Sequence, residues 1–130
     1  MRKLLWYLAP FIGWIFAHMT FAIPVQRLRE TETLIAFYHP KPAYEFHVLL
    51  VPKKAVKSLR EFDSHDFAFL ADMYANVQSL VDEFHLSAYR LIVNGGDYQD
   101  FPQLHFHLVS GVGTGLPVHE RGEMNSLLQE

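Results

Sequence analysis

The chain contains no cysteine among its 130 residues. This absence excludes disulfide bonds, thiolate zinc sites and cysteine nucleophiles. Lysine and arginine form no cluster, and the net charge of -3 at neutral pH gives no reason to expect binding to a nucleic-acid backbone. Internal repeats and a second core-forming region are also missing, so the sequence predicts a single domain. Two residue types are abundant instead: eleven phenylalanines and eight histidines.

The first part of the chain is an uncharged, mostly apolar run at residues 4–23 that follows Arg2 and Lys3. A bilayer-spanning helix needs ~20 such residues, and preceding positive charges are typical of an anchor whose N-terminus is cytoplasmic. Pro10 and Gly13 weaken this interpretation. Two alternatives stay open for a protein expected in the cytoplasm: the segment contacts a membrane, or it forms a soluble helix that packs on the domain or on a dimer partner.

The rest of the chain predicts short strands around one long helix. Alternating or β-rich runs predict strands at residues 25–30, 34–39, 46–51, 89–94 and 103–111, with a turn at 31–33. Ser64 is the predicted N-cap of a helix that ends at His85. Apolar residues recur on this helix at three- and four-residue steps: Phe67, Leu70, Ala71, Tyr74, Val77, Leu80, Val81 and Phe84. This order of elements predicts an α+β fold with antiparallel strands.

The segment from Gln103 to Gly111 carries the strongest chemical signal. Polar and apolar residues alternate in it, and alternate side chains of a strand point to opposite faces. Gln103, His105 and His107 are therefore expected in a row on one face, while the apolar residues between them face the core. Imidazoles act as nucleophiles, general acids or metal ligands at neutral pH. This row is the first candidate site.

Several blocks of the sequence resemble the histidine triad (HIT) superfamily of nucleotide hydrolases and transferases. The blocks are Ile15-Phe16 with Ile23-Pro24, Leu34 to Phe37, Phe46 to Lys53, Tyr89 to Asn94, and Gln103 to Val109, which falls on the signature His-x-His-x-His-x-x with apolar x. The resemblance implies a HIT-like fold: an antiparallel sheet of about five strands with one long helix and an N-terminal helix. It divides the chain into an apolar extension at 1–14, the domain at 15–111 and a tail at 112–130.

The resemblance also implies a mechanism of phosphorus chemistry. His105, at the middle position of the signature, would attack the α-phosphorus of a nucleotide and form a nucleotidyl-histidine that water hydrolyses. His107 would hydrogen-bond phosphate oxygens and stabilise charge in the transition state. Gln103, which replaces the first histidine of the signature, would orient the row. His47, on a neighbouring strand, would support the hydrogen-bond network of the site.

Three further positions are implied to contact substrate. Asn94 and Gln99 fall where the family contacts the phosphate or the leaving group. His39 lies where the family usually has an acidic residue that grips the ribose hydroxyls. The resemblance implies a nucleotide-like small molecule as the partner, no cofactor, and a homodimer formed through the long helix and a sheet edge.

Two departures leave other functions open. A histidine at position 39 cannot bind both hydroxyls of the ribose, as the family's acidic residue does. Asp100 places a carboxylate where a phosphate is expected, and like charges repel. Together with Gln103, these residues motivate a binding module that holds a nucleotide or phosphate without turnover. A third alternative is a zinc site, because His39, His47, His105 and His107 could supply imidazole ligands.

Overall fold

The structure, a computed structural model, describes residues 26–113. In chain order its elements are β1 (Arg27–Glu30), β2 (Leu34–Tyr38), β3 (Tyr44–Pro52), α1 (Phe67–Glu83), β4 (Arg90–Val93) and β5 (Phe106–Gly113), with single 3₁₀ turns at Leu59–Glu61 and Gly96–Tyr98. The five strands form one sheet in the order β1-β2-β3-β5-β4, and every pair is antiparallel. The predicted α+β fold, with about five antiparallel strands and one long helix, is confirmed.

The side chains of the central strand β3 point alternately to the two faces of the sheet. Val48 and Leu50 are fully buried in the cluster that includes residues of α1. Leu49 and Val51 belong to a second, smaller apolar cluster with residues of β2. Alternate strand residues point to opposite faces, so one face of β3 packs against α1 and the other is left for a site.

The main core lies between the sheet and α1. Its buried members are Leu34, Ala36, Val48, Leu50, Phe69, Met73, Val77, Leu80, Leu104, Phe106 and Leu108. The last three are the apolar residues predicted to alternate with the polar row, and their burial confirms that part of the prediction. The apolar half of the segment therefore anchors β5 to the core.

The turn between β1 and β2 is fastened to α1 by a polar network. The hydroxyls of Thr31 and Thr33 both donate hydrogen bonds to Asp72 on the helix. The buried Asn76 donates to the Asp72 carboxylate at 3.0 Å and to the Asp72 carbonyl at 2.7 Å. Buried polar groups need such partners, so the network fixes the helix relative to the outer strands.

The helix is shorter than predicted at both ends. Asp66, not Ser64, is the N-cap, and its carboxylate accepts a hydrogen bond from the backbone N–H of Phe69 at 3.2 Å. The predicted apolar stripe is also partly wrong, because Phe67 and Tyr74 are 66% and 56% exposed. The buried face is turned slightly from the predicted one and consists of Phe69, Met73, Asn76, Val77 and Leu80.

Strand β5 begins later and ends later than predicted. It runs from Phe106 to Gly113, so Gln103 and His105 precede its hydrogen-bonded ladder and Gly111 lies inside it. The ladder with β4 starts at the pair Val93 and Phe106. The polar row therefore spans the junction between a loop and a strand.

The apolar segment at residues 4–23, the predicted N-terminal helix and most of the predicted tail lie outside the described residues. Between residues 26 and 113, no helix is both long enough and apolar enough to cross a membrane.

Candidate active site

A cavity of about 320 Å³ lies on the face of the sheet opposite α1. Its lining residues come from the ends of β2, β3 and β5 and from the loop before β5: Phe37, His39, Pro40, Leu49, Val51, Asp100, Phe101, Gln103, His105 and His107. The predicted row of Gln103, His105 and His107 thus lies along one wall. Most of the remaining wall is apolar.

The backbone fixes the proton on the ring of His105. Its Nδ1 lies 2.7 Å from the carbonyl oxygen of Gln103. A carbonyl oxygen only accepts hydrogen bonds, so Nδ1 carries the proton and donates. In the neutral ring Nε2 then has a free lone pair, which is the state that a nucleophilic imidazole needs.

A second chain of hydrogen bonds fixes the proton on His107. The backbone N–H of Ala43 donates to Nδ1 of His47 at 3.0 Å, so His47 carries its proton on Nε2. That Nε2 donates to Nδ1 of His107 at 2.8 Å. His107 therefore carries its own proton on Nε2, and this atom is buried with no hydrogen-bond partner among residues 26–113.

The two rings of the row consequently differ in what they offer. The ring centroids of His105 and His107 are 4.9 Å apart. His105 presents a lone pair, and His107 presents an unpaired N–H donor. A buried donor without a partner is costly in a native protein, so the orphaned N–H of His107 indicates a place for an acceptor oxygen of a ligand.

Burial keeps the imidazole rings of His47 and His107 in their neutral forms. Desolvation, together with the neighbouring His39 and His105, lowers the pKa of His47 to about 4. Desolvation and the imidazoles of His105, His47 and His39 lower the pKa of His107 to about 3. At neutral pH both rings are therefore uncharged, as the hydrogen-bond relay requires.

The side chain of Gln103 lies behind the row and clamps the loop that follows β3. It is 1% exposed. Its Oε1 accepts from the N–H of Val56 at 3.2 Å, while Nε2 donates to the carbonyls of Pro52 and Lys54 at 3.2 and 2.7 Å. An amide with two N–H donors and one carbonyl matches these three backbone groups. The clamp also fixes the Gln103 carbonyl that orients His105.

Two predicted contact residues do not line the cavity. Gln99 is 2% exposed, and its Nε2 donates to the carbonyls of Lys57 and Phe101, each at 2.7 Å. It therefore braces the loop rather than facing the cavity. Asn94 directly follows β4, and extending the register of the pair Val93 and Phe106 by one residue places it opposite His105.

The remaining predicted residue, His39, lines the cavity beside the row. Its ring centroid is 4.4 Å from that of His47 and 6.1 Å from that of His107. Four imidazoles thus lie close together, but no group of histidine or acidic residues between residues 26 and 113 has the arrangement of a metal site.

Sequence reasoning missed the apolar part of the cavity and the backbone donors of the relay. Leu49 and Val51 follow His47 at two-residue steps on β3, so strand alternation would have placed them beside it. Nothing in the sequence pattern marks the N–H of Ala43 as the group that sets a tautomer, since every residue except proline has one.

A family model described as the HIT domain matches residues 20–114. The chain belongs to the HIT family. A HIT-like protein of Chlamydia trachomatis is 30% identical over 93 residues, which cover 69% of this chain and 84% of that protein. The adenosine 5'-monophosphoramidase HNT1 of Saccharomyces cerevisiae is 30% identical over 106 residues, covering 75% of this chain and 65% of the yeast protein.

Solved structures of HIT proteins share the fold. A HIT family hydrolase from Clostridium thermocellum superposes with a TM-score of 0.67 at 27% identity, covering 80% of this chain and 94% of that one. A HIT family hydrolase from Legionella pneumophila gives a TM-score of 0.68 at 25% identity, covering 79% and 96% of the two chains. The sheet and helix of this HIT protein are therefore those of the family.

The neutral imidazoles predict that this HIT protein loses stability in mild acid. An unfolded histidine takes up a proton near pH 6.5, whereas folded His47 and His107 stay neutral down to about pH 4 and 3. The unfolded chain therefore binds more protons in this window, and the free energy of unfolding falls as the pH falls through it. Urea denaturation at a series of pH values measures this dependence.

The matched variants for this prediction are His107→Asn and His65→Asn. His107→Asn should make the pH dependence between 6.5 and 4 shallower, because one suppressed protonation is removed. His65, whose side chain is 82% exposed, serves as the control and should leave the dependence unchanged. Parallel curves for wild type and His107→Asn would contradict the assignment.

The three hydrogen bonds that Gln103 makes to the backbone of Pro52, Lys54 and Val56 predict an order of stability among Gln103 variants. Gln103→Glu places a carboxylate, which has no donor, against two carbonyls in a site with 1% exposure, and should lower the free energy of unfolding at pH 7 by about 3–5 kcal/mol. Gln103→His offers one donor and one acceptor, so one backbone group loses its partner at a cost of about 1–3 kcal/mol.

Urea unfolding of the three proteins tests this order. The deficit of Gln103→Glu should shrink in acid, because a protonated carboxyl regains a donor. A Gln103→Glu variant as stable as wild type at pH 7 would show that the clamp contributes nothing.

Proposed function

We propose that this HIT protein is a nucleotide hydrolase or nucleotidyl transferase that acts at the α-phosphate of a nucleoside phosphoramidate, a dinucleotide or a related substrate. The observation that carries the proposal is the pair of opposite tautomers in the row. The backbone leaves a lone pair on Nε2 of His105 and an unpaired N–H on Nε2 of His107. A nucleophile beside a hydrogen-bond donor is the arrangement that displacement at phosphorus requires.

In the proposed first step, Nε2 of His105 attacks the α-phosphorus and forms a P–N bond. The bond from phosphorus to the leaving group breaks, and the leaving group departs with its electron pair and takes up a proton from water. The N–H of His107 donates to a non-bridging phosphoryl oxygen as charge develops there. In the second step water attacks the phosphorus and loses a proton to solvent, the electron pair of the P–N bond returns to Nε2 of His105, and the nucleotide is released.

Gln103, His47 and the loop residues act behind this chemistry. Gln103 positions His105 through its carbonyl, and His47 positions the proton of His107. Asn94 serves near the leaving group, since the register of β4 and β5 places it opposite His105, and Gln99 acts indirectly by bracing the loop whose Phe101 lines the cavity. The name of the yeast relative, an adenosine 5'-monophosphoramidase, makes adenosine 5'-phosphoramidate the first substrate to test.

Substitutions in the row should separate the two roles. His105→Asn removes the nucleophile and should abolish release of AMP from adenosine 5'-phosphoramidate. His107→Asn carries its amide only as far as the position of the ring's Nδ1 and so removes the donor at Nε2, which should lower kcat by about 10²–10³. Both are measured by chromatography of released AMP, with His65→Asn as the control and thermal unfolding as the check on folding.

The proposal fails if the folded wild type releases no nucleotide from phosphoramidates, dinucleoside polyphosphates and other phosphoanhydrides. A binding module without turnover is the second candidate, favoured by the carboxylate of Asp100 in the lining of the cavity. It predicts that AMP raises the melting temperature, with a stabilisation that grows as the logarithm of one plus the ratio of AMP concentration to its dissociation constant, while no product forms.

We further propose that the protein is a homodimer formed through α1. Phe67 and Tyr74 lie seven residues apart on one side of the helix and are largely exposed, as is Ala71 between them. Exposed aromatic residues at helical spacing are typical of an interaction surface. The edge strand β4, which within residues 26–113 pairs with β5 on one side alone, offers a second area of contact for the same two copies.

Tyr74→Glu tests this surface. A charge in the centre of the proposed interface should shift the protein from dimer to monomer in sedimentation experiments at micromolar concentration, because a buried unpaired charge costs several kcal/mol. Leu59→Glu introduces the same charge at a residue that is 48% exposed outside the helix, and should leave the mass unchanged. A wild type that sediments as a monomer would refute the dimer.

A further inference from the structure

The cavity that holds the row has a second imidazole donor, the ring of His39. The backbone N–H of Lys41 donates to Nδ1 of this ring at 2.9 Å, so the proton of the neutral ring is on Nε2. Burial and the neighbouring His105 lower the pKa of His39, which keeps the ring uncharged at pH 7. The proposed displacement at phosphorus uses the N–H of His107 and leaves the donor of His39 without a role.

The two donors lie within range of one acceptor. The ring centroids of His39 and His107 are 6.1 Å apart, with an angle of 23° between the ring planes. Each N–H···O bond spans about 2.9 Å, so two donors that share an oxygen lie up to about 6 Å from each other. His105, whose Nε2 carries the lone pair, has its centroid 4.9 Å from that of His107. A nucleophile and two N–H donors thus border the same cavity.

The rest of the described lining favours an uncharged ligand. Four apolar side chains form much of it: Phe37, Leu49, Val51 and Phe101. No lysine or arginine is among the lining residues between positions 26 and 113. Moving an ion from water into such surroundings without a counter-charge costs free energy, whereas a neutral carbonyl compound enters without that cost.

We propose that this HIT protein also hydrolyses neutral aryl esters, with His105 as the nucleophile and the N–H groups of His39 and His107 as the oxyanion hole. Attack on a carbonyl group develops negative charge on one oxygen, and preorganised N–H donors stabilise that charge. This activity goes beyond the proposed function. Both reactions need His105, but ester hydrolysis needs no phosphate and adds His39 as a catalytic residue.

In the first step the lone pair on Nε2 of His105 attacks the carbonyl carbon, and a C–N bond forms. The π-electron pair moves onto the carbonyl oxygen, which accepts from the two donors, and then re-forms the C=O bond as the bond to the aryl oxygen breaks. The phenolate leaves with that electron pair and takes up a proton from solvent. In the second step water attacks the acyl carbon and loses a proton to solvent, the C–N electron pair returns to Nε2, and the carboxylic acid is released.

The ring protons restrict the leaving group. The Nδ1 proton of His105 is held by the carbonyl of Gln103 at 2.7 Å, and the N–H groups of the two donors belong to neutral rings, which are very weak acids. The leaving group therefore departs without a proton from these rings. A phenolate can do so, because the pKa of a phenol is about 10, whereas an alkoxide is far more basic. The geometry thus points to aryl esters rather than alkyl esters.

Three acetate esters test the proposal: 4-nitrophenyl acetate, phenyl acetate and ethyl acetate, with free imidazole as the reference catalyst. The wild type should hydrolyse both aryl esters and leave ethyl acetate intact. Its kcat/KM for the aryl esters should exceed the second-order rate constant of imidazole by at least about 10³, because a single oxyanion-hole donor is worth about 10²–10³. His105→Asn should remove this advantage.

Matched variants at position 39 test the second donor. His39→Phe keeps an aromatic ring against His47 and has no N–H, so kcat should fall by about 10²-fold with little change in KM. His39→Gln carries an amide N–H to about the position of Nε2 and should keep kcat within about 10-fold of the wild type. His65→Asn, at a side chain that is 82% exposed, is the control and should keep the wild-type rate.

Thermal unfolding verifies that each variant is folded, and His39→Leu, which also lacks an N–H, replaces His39→Phe if the latter does not fold. A folded wild type no faster than free imidazole, or unaffected by His105→Asn, overturns the proposal, whether or not it releases AMP from adenosine 5'-phosphoramidate. Ester hydrolysis that loss of the donor at position 39 leaves unchanged overturns the role of His39. Ester hydrolysis without release of any nucleotide supports the proposal and counts against the proposed function.

Discussion

Hydrogen bonds from the main chain to imidazole rings determine the chemistry of this site. Each of three rings has one nitrogen committed to a backbone group: His39 to an N–H, His47 to an N–H and His105 to a carbonyl. Because a neutral imidazole has one donor and one acceptor, the backbone group decides what the other nitrogen offers. An N–H partner leaves a donor and a carbonyl partner leaves a lone pair. For His107, the fourth ring of the site, a side chain takes the place of the backbone group: His47 donates to its Nδ1 and so leaves the proton on its Nε2.

The sheet makes this arrangement possible by dividing its side chains between two tasks. Val48 and Leu50 of β3 pack under α1, while Leu49 and Val51 line the cavity. On β5 and just before it, His105 and His107 are each flanked along the chain by core residues, namely Leu104, Phe106 and Leu108. The rings cannot shift without disturbing packed neighbours, and rigid placement is what a preorganised site needs.

Strand alternation in the sequence was enough to predict the row and its apolar partners, because the period of a strand does not depend on its neighbours. Gln99 shows the limit of such reasoning: its amide faces the carbonyls of Lys57 and Phe101, which only the folded loop brings near. The same limit applies to α1, where the choice of Asp66 over Ser64 as N-cap depends on which side chain can reach an unpaired backbone N–H. Periodicity identifies an apolar face of the helix, but tertiary packing decides which residues of that face enter the core, and Phe67 consequently lies outside it.

The Gln103 clamp has a consequence for how this sequence can change over time. Its partners are the main-chain groups of Pro52, Lys54 and Val56, which nearly every amino acid supplies. Replacement of an exposed side chain in that loop, such as that of Lys54, therefore leaves the three hydrogen bonds of Gln103 in place, so the surface of the loop can change while the row keeps its position. Proline at position 56 is the exception, since it has no N–H to donate.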